Sequence, residues 1–307
     1  LVNYDGTISF AEIYLNAIER NAAAVVIYQE GLETPYFKTV VVEDVNGKLV
    51  PFPEAYPNLQ LIPFVFTTSS SANQMIDFIN EASTDSTKYA ILDGNWEYAQ
   101  VGPRTTYVVT GELIGEGEGT IMIGAHHDST YLSPGAIDNA VGVAQLLDIA
   151  NNLKSEDLDK KIRFTTWGGE ELGLLGSQKY IEQEFDSLSD LELYINLDST
   201  NLNPQTGTST LGIETTSNVN KEYLEIAKKQ VLDSSWSDYN VNIVKNGGGG
   251  GSDHRSFNSA GFETVGAFGW SYPEYHTSLD TPAVVHKDGL SLTSELILHL
   301  IVLKASS

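Results

Sequence analysis

An α/β fold, built on a mainly parallel mixed sheet with helices on both faces, is expected from three observations. Apolar strand-like runs alternate with helix-like stretches from about Pro103 onward. The His, Asp and Glu residues suited to chemistry fall where those runs end, which is where such sheets place their sites. A length of 307 residues with 41% hydrophobic content allows one large core or two smaller ones.

The first hundred residues have a different texture. SFAEIYLNAIERNA (9–22) spaces Phe10, Ile13, Tyr14 and Ile18 as one face of an amphipathic helix, with Ser9 as its cap. AAAVVIYQ (22–29) reads as a buried strand. PFVFTTSSSANQMIDFINEA repeats the unit, joining a strand at 64–66 to a helix over 70–82, and a loop rich in proline and charge is expected over 30–63. This makes a small α/β module in which no cluster of His, Asp and Glu suggests chemistry.

Further on, strands are expected over 105–113, 120–125, 161–167, 191–197, 210–214 and 240–245, and in FETVGAF. Helices are expected over 138–153, 174–185, 221–232, 253–259 and 290–304. In the first of these, Ala140, Val143, Ala144, Leu147 and Ala150 form the apolar face.

Seventeen basic against 41 acidic residues give a net charge of −24, which repels nucleic acid and anionic membranes. The absence of cysteine excludes disulfides, thiolate metal sites and cysteine nucleophiles, so any metal must be held by nitrogen and oxygen. No membrane span is expected, because the longest apolar candidate, 290–305, is interrupted by Ser291, Thr293, Ser294, Glu295 and His299.

The candidate site residues gather at four strand ends. His126 and Asp128 follow TIMIGA two residues apart, on one face if the strand continues, and Asp138 stands where an apolar helix begins. Glu170 and Glu171 follow KIRFTTW, Asp198 follows LELYINL, and His276 follows FETVGAFGW after a short loop. Any one alone reads as an ordinary surface or core residue. Two imidazoles and three carboxylates from among them make a donor set that suits a pair of divalent ions such as zinc. A carboxylate shared by ions about 3.5–4 Å apart lets them clamp a hydroxide and polarise a carbonyl, which is the chemistry of hydrolysis. One further carboxylate must stay off the metals to carry a proton to the leaving amine, and the neighbours Glu170 and Glu171 can supply one of each.

GAHHDS, PGAIDNAVGVAQLL, WGGEELGLLGSQKY, NLD, SDHRSF and YHTSLDT, in this order, resemble the co-catalytic dizinc aminopeptidases of metallopeptidase family 28, clan MH. The resemblance runs from about residue 103 to the end and implies one catalytic domain of the zinc-peptidase, phosphorylase/hydrolase-like kind. Carried over by position, it implies that His126 and Asp198 belong to different zinc ions. Asp138 would bridge the two, with Glu171 joining one ion and His276 the other. Glu170 matches the general base, and Asp128 matches the carboxylate that orients His126. Tyr275 matches a tyrosine that in some members hydrogen-bonds the tetrahedral intermediate, with packing as the equal alternative. His127, His254, His286 and His299 are expected to bind no metal. The glycine run at 247–251 reads either as a connector or as a mobile rim of the site. Gly251 stands where some relatives have a substrate-anchoring arginine, a role left open to Arg255.

The first hundred residues resemble part of a protease-associated domain, often inserted in peptidases of this family. The expected organisation is a protease-associated-like domain over 1–102 and a dizinc catalytic domain over 103–307. Relatives with the insert carry peptidase sequence ahead of it, so either a leading segment lies outside this sequence or the domain is a shortened variant. A start at Leu1 without a signal-peptide pattern points to a processed product, and a secreted location is expected. The implied function is a zinc exopeptidase, foremost an aminopeptidase acting on peptides or proteins with a free N-terminus. Carboxypeptidases, dipeptidases and glutaminyl cyclases share the scaffold. So do receptors that have lost the metal site, although all five ligand positions are intact here.

Overall fold

The computed structural model describes residues 1–85, 87, 105–156, 158–232, 236–246, 251–269 and 272–306. The expected boundary at 102–103 lies outside the described residues.

The N-terminal part contains β1 (Val2–Asn3), α1 (Phe10–Glu19), β2 (Val25–Tyr28), β3 (Val41–Glu43), β4 (Leu49–Pro51), α2 (Phe52–Ala55), β5 (Phe64–Phe66) and α3 (Ser69–Thr84). Ser9 caps α1 by accepting the Glu12 amide at 3.1 Å, and Thr68 caps α3 by accepting the Ser71 amide at 3.2 Å. β1, β2 and β5 form a parallel sheet in the order β1-β2-β5. Against it pack Phe10, Ile13 and Tyr14 of α1 together with Phe52, and Phe64 and Phe66 meet the Phe10 ring edge-on. The segment expected as a loop over 30–63 contains the antiparallel β3–β4 hairpin and α2. The hairpin turn is held by Asp44, whose carboxylate accepts the amides of Asn46 and Lys48 at 2.8 and 2.9 Å.

The larger part contains β6 (Val109–Leu113), β7 (Thr120–His126), α4 (Val141–Leu153), β8 (Lys161–Trp167), α5 (Leu175–Glu184), β9 (Leu191–Asp198), β10 (Thr210–Thr215), α6 (Asn218–Val231), β11 (Asn240–Lys245), α7 (His254–Ser259), β12 (Thr264–Gly269) and α8 (Lys287–Ala305). Its seven strands run in the order β11-β10-β12-β9-β7-β8-β6. Pairing is parallel except between β10 and β12 and between β6 and β8. This is the mainly parallel mixed sheet expected from the alternation, and helices cover both faces.

Alternation along β7 sorts its residues. Ile121, Ile123 and Ala125 join the core under α4 and α8, while Met122 faces the cluster of Trp167, Tyr194 and Phe257 on the side of α5 and α7. Gly124 lies on that second side, and a Cβ there would come within 2.5 Å of the Trp167 indole nitrogen and 2.6 Å of the Tyr194 hydroxyl. The space is taken by a buried chain of hydrogen bonds: Trp167 Nε1 donates to Tyr194 at 2.7 Å, Tyr194 to Asn196 at 2.8 Å, and Asn196 to Ser252 at 2.8 Å.

The face of α4 is only partly the one expected: Val143 and Ala150 pack half-buried against the core, but the rest of that face does not. Val141, Gln145, Leu146, Ile149 and Leu153 are buried, whereas Leu147 is 64% exposed and Ala140 and Ala144 face outward. The helix carries two apolar stripes, and the one with larger side chains fills the core. Gln145 is tolerated there because its amide donates to the Leu290 carbonyl at 3.0 Å and its carbonyl accepts from Thr200. No helix among the described residues is long and apolar enough to cross a membrane.

Candidate metal centre

The carboxyl ends of the central parallel strands converge on Asp138. His126 closes β7 and Asp198 closes β9, Glu170 and Glu171 lie in the turn after β8, and His276 lies in the loop between β12 and α8. Asp138 itself sits in an irregular turn, Ala136–Ala140, that feeds α4. Its Oδ1 lies 3.0 Å from His126 Nε2 and its Oδ2 lies 3.1 Å from His276 Nε2. His126 Nε2 is also 3.5 Å from Asp198 Oδ1, and His276 Nε2 is 3.3 Å from Glu171 Oε2. These distances group His126 with Asp198 and His276 with Glu171, with Asp138 between them. The resemblance places His126 and Asp198 on different ions, whereas here their donor atoms are 3.5 Å apart. Donor atoms of His126, Glu170 and Asp198 also fall within 4.8 Å of one another, as do those of His126, Asp138 and Glu171.

Both imidazoles have a fixed sense. His126 Nδ1 is 3.0 Å from the Asp128 main-chain carbonyl, and His276 Nδ1 is 2.8 Å from the Phe37 carbonyl. A carbonyl only accepts, so each Nδ1 carries the proton and each Nε2 turns toward the cluster. Asp128 therefore orients His126 through its backbone, its carboxylate standing 3.7 Å from the ring. That carboxylate accepts instead the amides of Glu170 at 3.1 Å and Glu171 at 3.2 Å, which fixes the turn carrying both glutamates.

Asp138 is held from behind. Asn139 Oδ1 accepts the amides of Gly142 at 3.2 Å and Ser199 at 3.1 Å, and its Nδ2 donates to the Leu197 carbonyl at 2.8 Å, tying the turn to the end of β9. Gly142 has no alternative, since a Cβ would lie 2.4 Å from Asn139 Oδ1. Leu132, Leu174, Ser199 and His276 all adopt positive φ, and such strained non-glycine residues gather where the surrounding structure dictates the backbone.

The electrostatics are those of crowded carboxylates in a dry site. Burial pushes the Glu170 carboxyl well above its ordinary range, with the His126 charge opposing and Glu171 reinforcing. Burial likewise lifts Glu171, to about 9, and the charge of Asp138 adds to it. Burial acts to raise Asp138 too, but hydrogen bonding to His126 and His276 and their charges hold it below its ordinary value. A cavity of about 390 Å³ opens onto this cluster, lined in part by Lys38, Val41 and Leu49 of the N-terminal part and by Tyr272 and Tyr275.

Residues 108–301 match the model of Peptidase family M28. The chain belongs to this family. Among its relatives, Aminopeptidase YwaD of Bacillus subtilis (strain 168) is 35% identical over 187 residues, 58% of this chain and 39% of that protein. Leucine aminopeptidase 2 of Trichophyton equinum is 38% identical over 97 residues, 31% of this chain and 20% of that protein. The match thus spans well under half the length of either curated relative. The solved structure of BSAP, a zinc aminopeptidase from Bacillus subtilis, overlays 98% of this chain and 69% of its own, with a TM-score of 0.70 and 25% identity.

The six M28-like motifs close on one centre, yet several residues around it gave no functional signal in sequence. Asp280 and Asn139 lie inside quoted motifs, and burial alone separates them from ordinary loop residues. Tyr36, Phe37 and Lys38 belong to the stretch read as a loop without chemistry. Tyr275 lines the cavity and stacks on His276 with ring centroids 3.7 Å apart. Arg255 does not face the cavity: its guanidinium pairs with Glu43 at 2.5 Å and donates to the Gly47 carbonyl at 3.1 Å, clamping the β3–β4 hairpin. His127 is exposed, His286 and His299 meet Tyr239 and Gln230, and His254 is buried edge-on to Phe268. Of the glycine run, 247–250 lie outside the described residues, and Gly251 lines the cavity.

Proposed function

We propose that this M28 chain is a secreted zinc-dependent aminopeptidase that removes N-terminal residues from peptides. Residues 1–102 would form a protease-associated-like domain and 103–307 the dizinc catalytic domain. The observation that carries the reading is the pair of inward-turned Nε2 atoms 3.0 and 3.1 Å from opposite oxygens of one buried carboxylate. With its proton on Nδ1 each imidazole turns an Nε2 lone pair toward the carboxylate, and lone pairs face each other in a dry site only where a proton or a metal ion stands between them. His126 Nε2 and Glu171 Oε1 are buried without a hydrogen-bond partner among the described residues, as metal-donor atoms are. The residues fit a pair of zinc ions: His126 and Asp198 would hold one, His276 and Glu171 the other, and Asp138 both. Bound zinc supplies Lewis acidity toward the scissile carbonyl and acidifies water. The likeness to BSAP, a zinc aminopeptidase, supports the choice of metal.

The rest falls to the chain. Glu170, the carboxylate left outside the paired set, takes the proton of the attacking water on a carboxylate oxygen and gives it to the leaving amine. Tyr275, on the cavity wall, would donate to the oxygen that gains charge as the carbonyl is attacked. Asp138, Glu170, Glu171 and Asp198 give the cavity an acidic floor that attracts a substrate's terminal ammonium and repels a terminal carboxylate, which favours amino-terminal trimming. The test is metal analysis beside a panel of free and N-blocked aminoacyl substrates. Two zinc ions per chain and hydrolysis of free amines alone are expected; zinc-free protein that hydrolyses the blocked series would overturn the proposal.

A further inference from the structure

The two histidines of the centre are anchored from different parts of the molecule. His126 is oriented from within its own layer, by the carbonyl of Asp128 two residues on. His276 is oriented from the N-terminal part, across 239 residues of sequence: Phe37 O accepts from its Nδ1 at 2.8 Å. The contact is reciprocal, because the Phe37 amide donates to the His276 carbonyl at 3.2 Å. Tyr36 stacks its ring on the imidazole, 5.6 Å between centroids with 17° between planes. Tyr36 in turn packs against Tyr4, Phe10 and Phe66, and Phe37 packs against Phe66, so the strap is rooted in the aromatic core of the N-terminal part.

His276 needs such support. Its φ of 57° lies in the left-handed region, where a residue with a Cβ persists only if its surroundings hold it. On its own side of the cavity the ring meets Tyr275 as a stack, which fixes the ring plane but not which nitrogen carries the proton. That choice falls to the Phe37 carbonyl.

We infer that the Tyr36–Phe37 strap is the positioning element of the His276–Glu171 half of the centre, so that this half depends on docking of the N-terminal part and the His126–Asp198 half does not. The inference rests on the dizinc reading above. Partners of this kind behind a metal-bound imidazole are worth about 10–100-fold in metal affinity. Loosening the strap should therefore weaken one zinc affinity and leave the other as it is in the unaltered chain.

The experiment is a zinc titration of the 307-residue chain against a chromophoric chelator, with circular dichroism as the check on folding. For Tyr36→Ala and Phe37→Pro, one zinc is expected to bind as in the unaltered chain and the second at least about 10-fold more weakly. Tyr36→Phe, which keeps the ring, is expected to restore both. Phe37→Pro removes the amide that reaches His276; should it not fold, Tyr36→Ala decides alone, because it keeps that amide and removes the ring that stacks on His276 and roots the strap. Two unchanged affinities in a folded variant would overturn the inference, as would equal weakening of both. An unaltered chain that binds no second zinc would instead overturn the dizinc reading.

Discussion

Asp280 accepts the main-chain amides of Ile137 and Asp138 on its two carboxylate oxygens, at 2.7 and 3.0 Å, and is fully buried. It thereby sets the direction of the Asp138 side chain without touching the histidines. Asp280→Ala should strand two buried amides, at about 1–3 kcal/mol each, and weaken zinc binding about 10–100-fold. Asp280→Asn, which keeps one acceptor oxygen, should fall between. Denaturant unfolding and zinc titration check this, and an Ala variant with unchanged zinc affinity would contradict it.

Glu170 is the carboxylate of the centre that the close imidazole pairs leave out. Glu170→Gln keeps its volume and removes its ability to carry a proton. Zinc content is expected to stay as in the unaltered chain while turnover falls about 10²–10⁴-fold. Near-normal turnover with full metal would assign the proton transfer elsewhere.

Much of this site is legible because each donor follows an apolar strand, and a parallel sheet gathers strand ends at one edge. β5, β8 and β11 have the residues expected of them. The grouping of the donors is not legible. His126 meets Asp198 because β7 and β9 are neighbours in the sheet, and His276 meets Glu171 because the loop after β12 crosses over the turn after β8. Strand order carries that information, and spacing does not. The β3–β4 hairpin escapes for a different reason: strands of three residues are too short to display a period, although Asn46-Gly47 marks their turn. The strap on His276 acts through main-chain atoms, which no side-chain pattern records.

The hydrogen-bonded chain from Trp167 through Tyr194 and Asn196 to Ser252 lies beneath the centre, and the missing Cβ of Gly124 makes room for it. Tyr194→Phe should leave the Trp167 indole and the Asn196 side chain each short of a partner, at about 1–3 kcal/mol. Gly124→Ala should cost more, since its methyl group collides with both rings and neither can withdraw. Unfolding free energies in denaturant test both, and a Gly124→Ala protein more stable than Tyr194→Phe would show that the rings yield.

His254 offers a test of pH dependence away from the donor set. It is buried in α7, and neither ring nitrogen has a hydrogen-bond partner among the described residues. Burial pushes its imidazole from 6.5 down to about 4, with Asp198 opposing and Arg255 reinforcing. Between those values the unfolded chain holds a proton on this ring that the folded chain does not. Its contribution to stability is thus complete above about pH 6.5 and is lost as the pH falls to about 4, a change of about 3 kcal/mol. The neighbouring Asp253, whose carboxyl burial lifts to about 7, acts with the opposite sign, so the total slope of the unaltered chain is partly cancelled. The difference between variants isolates the histidine. His254→Leu, measured against the unaltered chain by denaturant unfolding, is expected to gain about 3 kcal/mol in relative stability between pH 7 and pH 4. A difference that stays constant over that range would mean that the ring is hydrated or paired in the folded protein.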